Sequence, residues 1–185
     1  LTPEEATEVV LLPMLAHTFK PGQKLNYPVA VTEKLDGVRC LALSDGTLLS
    51  RKGTEYKVAH ISEQVRALNL KENIVLDGEL YRHGIPLQQI NSLVKKPKPF
   101  SKDLQYQVFD LIDLDRPDLP FRDRIELLSF IYQTGESTPS IFGVWPSQAH
   151  TEEDIHSYHN EFISDGYEGI IIRDSAAPYE LGHRS

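Results

Sequence analysis

The chain has a single cysteine, Cys40. That excludes an internal disulfide and a zinc-ribbon cluster, and it suits a reducing compartment. Long uninterrupted apolar runs are missing, so neither a transmembrane helix nor a membrane partner is expected. The opening residues, Leu1-Thr2-Pro3-Glu4-Glu5, have the form of neither a signal nor a transit peptide, and a start at leucine points to a trimmed sequence. Positive charge is in deficit: the formal net charge is −8, which argues against coating nucleic acid by bulk electrostatics but leaves room for a local basic groove. Lys95-Lys96-Pro97-Lys98-Pro99, with Lys102 beyond, is the local candidate; on its own such a run reads as a solvated loop. There is no repeat at solenoid or propeller spacing, no low-complexity tract and no clear interdomain linker. Gly-Lys-Ser/Thr phosphate loops, dinucleotide Gly-rich fingerprints and Gly-x-Ser-x-Gly elbows are also lacking.

What is present suits one globular domain: 185 residues, 40% of them hydrophobic, can bury one substantial core. A short apolar run, Val9 to Leu15, comes first. Residues 29 to 35 and 38 to 43 read as strands joined into a hairpin at Asp36-Gly37, and Asp45-Gly46 turns the chain into 47 to 51. Residues 60 to 70 suit a helix, with Ile61, Val65 and Leu68 at helical spacing. A strand from Ile74 to Tyr81, interrupted at Asp77-Gly78, is followed by a short helix over 87 to 94. Leu104 to Ile112 is a strand, and Ile125, Leu128 and Ile131 mark a helix over 120 to 132. Ile141 to Trp145 reads as a strand. Thr151 then offers an N-cap, and Glu152-Glu153-Asp154 an acidic first turn, to a helix ending at Asp165-Gly166. A last strand runs from Glu168 to Arg173. Hairpins interspersed with helices predict an α+β domain built on antiparallel sheet.

Charged groups gather at strand ends. Alternation puts Thr32 and Lys34 on one face of their strand. A lysine in an apolar strand ordinarily reaches for water. To act as a nucleophile it must lose its proton, since a free lysine with pKa ~10.4 is almost wholly protonated at neutral pH; burial or cations such as Arg39 and Arg51 serve that end. Glu79, with Asp77, faces away from Leu76 and Leu80, as a carboxylate aimed at a ribose hydroxyl or a metal would. Glu168 stands before three isoleucines, a carboxylate at the mouth of a buried strand and suited to a hard cation such as Mg²⁺. Parity places Arg173 on the opposite face from Glu168 and so away from a shared pocket. His156 and His159 are three apart on a predicted helix and are expected to face solvent. Cys40 reads as a small core residue.

Lys34-Leu35-Asp36-Gly37-Val38-Arg39 resembles the Lys-x-Asp-Gly-x-Arg signature of the covalent nucleotidyltransferases, namely ATP-dependent DNA ligases, RNA ligases and messenger-RNA capping enzymes. Ser50-Arg51-Lys52-Gly53, Asp77-Gly78-Glu79, Val108-Phe109-Asp110 and Glu168-Gly169-Ile170-Ile171-Ile172-Arg173 resemble the later motifs, in the family's order. Ser-Arg-x-Gly, and Glu-Gly with a terminal arginine, resemble the DNA-ligase branch. Leu12 to Ala16 and Gln88 to Asn91 resemble small viral or bacterial ligases. The resemblance implies an ATP-grasp-like ligase adenylation domain over residues 1–185, with two antiparallel sheets flanked by helices and a nucleotide pocket between them.

By that resemblance Lys34 is the nucleophile that takes AMP from ATP, Thr32 lies at the adenine edge, and Phe109 stacks on adenine. Arg39 and Arg51 meet ribose or phosphates, and Glu79 binds ribose. Glu168, with Glu79, holds Mg²⁺, while Ser50 and Arg51 touch a DNA phosphate. The implied partners are ATP and nicked double-stranded DNA, for a monomer working inside a cell, in the cytoplasm of a bacterial or viral host. Tyr179 to Ser185 resembles the approach to a paired-lysine motif. By the resemblance that motif and an oligonucleotide-binding (OB-fold) domain are expected after residue 185, so these residues alone are expected to self-adenylate weakly and to seal essentially nothing. RNA ligation, guanylyl transfer and a non-catalytic binding module are the alternatives; retention of Lys34, Glu79 and Glu168 weighs against the last.

Overall fold

A computed structural model describes residues 22–96, 98–134 and 138–180. The early apolar run from Val9 to Leu15, the Leu12 to Ala16 segment, Pro97 and residues 181–185 lie outside them. Nine strands and four α-helices follow one another among the described residues: β1 (Val29–Lys34), β2 (Val38–Ala42), β3 (Leu48–Leu49), β4 (Glu55–Tyr56), α1 (Ala59–Ala67), β5 (Ile74–Tyr81), α2 (Leu87–Lys95), β6 (Gln105–Asp113), α3 (Phe121–Thr134), β7 (Ile141–Gly143), β8 (Ser147–Ala149), α4 (Glu152–Ser164) and β9 (Gly169–Asp174). A 3₁₀ turn, Pro99–Asp103, leads into β6.

The strands form two sheets, ordered β8-β1-β9 and β4-β3-β2-β5-β6-β7. Pairing is antiparallel throughout except that β7 runs parallel to β6. The expected hairpin at Asp36-Gly37 is not formed, because β1 pairs with β8 and β9 while β2 pairs with β3 and β5. Asp36-Gly37 is instead a crossing between sheets. A Cβ on Gly37 would lie 2.6 Å from the Leu80 carbonyl oxygen, so glycine serves close approach here rather than a left-handed turn. The hairpin belongs to Asp45-Gly46, where Gly46 has φ +90° and β2 folds back on β3.

Alternation then divides the large sheet. From β2 and β5, Val38, Cys40, Ala42, Leu76 and Leu80 join the core against α1, α2 and α3. The opposite face carries Leu41, Leu49, Val75 and Ile112, closed by Tyr179, and beside this apolar patch it carries Arg39, Asp77 and Glu79. In the small sheet Val29 and Val31 pack on Ile155 and Phe162 of α4; burying each such side chain contributes roughly 1.5–3 kcal/mol. Helix α4 starts as its sequence requires, with the Thr151 hydroxyl accepting from the Asp154 amide at 3.1 Å. The sheets therefore face each other across a cleft, with α1 and α2 behind the large sheet, α4 behind the small one, and the start of α3 at the cleft itself.

Candidate active site

The cleft holds a cavity of about 320 Å³. β1 contributes Thr32 and Lys34, β2 Arg39, β5 Asp77 and Glu79, β6 Phe109, and β9 Arg173; α3 and residues 177–180 close one side. Five of the residues singled out in the sequence thus meet in one place: Thr32, Lys34, Arg39, Glu79 and Phe109.

A register shift in β6 makes this convergence possible. Asp77 pairs with Asp110 but Gly78 pairs with Val108, leaving Phe109 as an extra residue. Such a bulge breaks strict alternation, so Phe109 and Asp110 both line the cavity while Val108 and Leu111 remain in the core. The guanidinium carbons of Arg39 and Arg173 lie 5.0 and 4.9 Å from the centroid of the Phe109 ring, at cation–π distance. Arg173 also donates to the Thr32 hydroxyl at 3.1 Å. Arg173 therefore lines the cavity, against the parity expectation. That expectation took Glu168 to mark the pocket side of the strand, but Glu168 precedes β9 and is not among the residues lining the cavity.

Two salt bridges fix the floor. Arg39 makes a two-pronged contact with Asp77, both bonds 2.6 Å; burial opposes its charge, but Asp77 more than offsets this and holds the guanidinium ionised. The Tyr179 hydroxyl donates to the same carboxylate, also at 2.6 Å. Behind it, Arg124 of α3 donates to Asp110 at 2.8 and 3.2 Å, with both side chains almost wholly enclosed. Arg124 and Tyr179 were not among the sequence candidates. Arg124 did carry a signal, since it stands on the buried stripe Phe121, Arg124, Leu128 at helical spacing.

Glu79 accepts a hydrogen bond from the Gly37 amide at 2.9 Å. Burial pushes its carboxyl up to about 7, against the opposing influence of Arg39 and that amide. Lys34 ends β1 at the cavity mouth, its Nζ 3.3 Å from Glu168, with both side chains about half exposed at 49% and 46%. The expected enclosure of Lys34 is therefore partial.

Ser50 and Arg51 lie apart from these groups. Ser50 Oγ accepts from the amides of Lys52 and Thr54, and Arg51 is exposed on that turn. Both line a neighbouring hollow that shares Arg39 with the main cavity. His156 and His159 are exposed on α4, and Cys40 is buried in the core. No described helix is long and apolar enough to cross a membrane.

Comparison with known proteins bears on the family and the fold. The family model of the ATP dependent DNA ligase domain matches residues 13–185. A DNA ligase of African swine fever virus (isolate Warthog/Namibia/Wart80/1980) is 33% identical over 162 residues, which cover 84% of this chain and 38% of that protein. A DNA ligase of Archaeoglobus fulgidus is 25% identical over 191 residues, covering 95% and 34%. The chain thus spans little more than a third of the length of these relatives. In fold it matches the Chlorella virus DNA ligase-adenylate with a TM-score of 0.80 at 23% identity, over 95% of this chain and 64% of that one. The bacteriophage T7 ATP-dependent DNA ligase, in complex with ATP, matches with a TM-score of 0.74 at 15% identity, over 96% and 67%. With a family model that covers nearly its whole length, this chain belongs to the ATP-dependent DNA ligase domain family.

Proposed function

We propose that the chain is the adenylation domain of an ATP-dependent DNA ligase and that Lys34 accepts AMP from ATP. The observation that carries this reading is a lysine at the mouth of a cavity in whose wall two guanidinium groups, of Arg39 and Arg173, lie against the Phe109 ring. At about 320 Å³ the cavity is within the usual range for a small-molecule ligand. In this reading the base stacks on Phe109 and meets the Thr32 hydroxyl at its edge. Arg39 and Arg173 supply fixed positive charge for phosphate oxygens. Glu79 accepts from a ribose hydroxyl.

Lys34 Nζ, once it has given its proton to solvent, attacks the α-phosphorus in line. A P–N bond forms, the α–β P–O bond breaks, and pyrophosphate leaves. The phosphoramidate persists until protonation of its nitrogen makes AMP easy to transfer, in the full-length protein, to the 5′-phosphate of a nick. Attack by the neighbouring 3′-hydroxyl then seals the strand and releases AMP.

Glu79 and Glu168 fit a hard cation by the chemistry of their carboxylate oxygens. Among the described residues no group of three or more candidate ligands converges, so Mg²⁺ here would complete its shell with phosphate and water oxygens, as is usual for it. When bound, it would neutralise phosphate charge and stabilise the leaving group. In this reading Ser50 and Arg51, on the exposed turn, meet a DNA phosphate, and the OB-fold domain is expected in the rest of the protein.

The test is incubation of the full-length protein with α-labelled ATP or GTP and Mg²⁺, followed by peptide mapping. Label from ATP on Lys34 is the expected result. Label from GTP would move the assignment to capping, and the absence of label from both would end the catalytic reading. Sealing of nicked DNA in preference to nicked RNA distinguishes the two ligase classes.

A further inference from the structure

Basic side chains gather beside the main cavity. Arg39 lines it and also a second hollow of about 410 Å³, shared with Arg51, Lys52 and Lys95. Glu55 and Tyr56 of β4 line that second hollow and a third, of about 500 Å³, whose basic side chains include Lys57, Lys98 and Lys102. The hollows are neighbours through these shared walls, and the outer two lie at the β4 edge of the large sheet. Two carboxylates line the outer hollows, and both are already engaged: Glu55 pairs with Lys57, while Asp45 is held below the usual carboxylate range by the Thr47 amide and side chain, with a smaller contribution from Arg66. In a chain of net charge −8, this is a local reversal of sign.

Part of this basic surface is built into the fold. The Ser101 hydroxyl donates to the Leu93 carbonyl of α2 at 2.9 Å and accepts from the Lys98 amide at 3.1 Å. The His60 ring bonds to the Leu104 carbonyl oxygen at 2.8 Å. The 3₁₀ turn is thereby tied to both α1 and α2. Between Lys98 and Lys102 in sequence it carries Phe100, an aromatic ring 66% exposed to solvent.

We propose that Lys95, Lys98, Lys102 and Phe100 form a docking surface for the sugar-phosphate backbone of duplex DNA, extending the footprint beyond the Ser50-Arg51 turn. This rests on the ligase reading above. The lysines neutralise phosphates and displace condensed counterions, while the Phe100 ring packs on the sugar face and contributes independently of salt. Such backbone docking carries no base readout.

The test is the salt dependence of nicked-duplex binding by the full-length protein, compared with a variant carrying Lys95→Ala, Lys98→Ala and Lys102→Ala together. Removing one lysine–phosphate pair should lower the slope of log affinity against log salt by about 0.9. The triple variant is therefore expected to lose about 2–3 from the slope and at least about tenfold in affinity at low salt. Phe100→Ala should weaken binding with the slope unchanged, and Lys71→Ala, exposed elsewhere, should do nothing. Equal melting temperatures establish that the variants are folded. If wild-type protein binds the nicked duplex and the triple variant keeps its slope and affinity, this surface is not the docking site, while the ligase reading stands. If wild-type protein binds no nicked duplex at all, both fall together.

Discussion

Lys34 and Glu168 meet across the cavity mouth because β1 and β9 are in register, with Lys34 opposite Gly169. The residue before Gly169 is thereby delivered to the lysine, and Nζ lies 3.3 Å from Oε1. The pair is half exposed, so it contributes little to stability, at most about 1 kcal/mol. Its importance is to chemistry, since it keeps the proposed nucleophile and the proposed metal carboxylate within one ion-pair distance.

Lys34→Ala should abolish covalent labelling by ATP, and Lys34→Arg should do the same because a guanidinium stays protonated. Glu168→Gln should slow labelling on the order of 100-fold with the melting temperature nearly unchanged. Single-turnover labelling with a parallel thermal melt measures both. Labelling of Lys34→Ala at the wild-type rate would remove Lys34 from its role.

Glu79 should make stability depend on pH. Its carboxyl is raised in the folded chain to about 7, above its unfolded value, so its favourable contribution is complete below the unfolded value and is lost as pH rises through about 7. Glu79→Gln should leave stability near that of the wild type under acid conditions and raise it relative to wild type above neutrality, by on the order of 2 kcal/mol. Denaturant titrations on either side of that window read the difference. Parallel curves for the two proteins would show that Glu79 is not the titrating group.

Arg124→Met should cost about 3–5 kcal/mol, because it leaves the Asp110 carboxylate buried without its partner. Pairing it with Asp110→Leu should recover much of the loss, as an apolar replacement of both ions often does. Urea unfolding of the two single variants and the double variant forms the cycle. Additive losses would mean that the two side chains act independently.

Tyr179→Phe should cost about 1.5–3 kcal/mol, the worth of a hydrogen bond to a charged acceptor, since Asp77 loses a 2.6 Å donor while retaining Arg39. The N-terminal amides of α3 at Phe121 and Arg122 donate to the carbonyls of Ala177 and Ser175, which holds the same segment from its other side. Faster amide exchange at Phe121 and Arg122 in the variant would report its loosening; unchanged exchange would confine the effect to the hydroxyl.

The amino-acid sequence by itself determined most of the elements and the faces on which several candidate side chains stand. Apolar spacing marks α1 and α3 to within a few residues, Thr151 fixes the start of α4, and alternation puts Thr32, Lys34 and Glu79 on polar faces. These are local properties, written in propensity, capping and period. Tertiary structure decided how the pieces meet. Asp36-Gly37 is as good a hairpin signal as Asp45-Gly46, yet only the second makes a hairpin, because β1 finds its partners at β8 and β9, more than 100 residues later. The β6 bulge that turns Phe109 into the cavity exists only in the pairing with β5. Arg173 and Arg124 become cavity groups only when β9 and α3 close over the sheet. A periodic pattern gives a residue its face; pairing between distant strands decides what that face looks at.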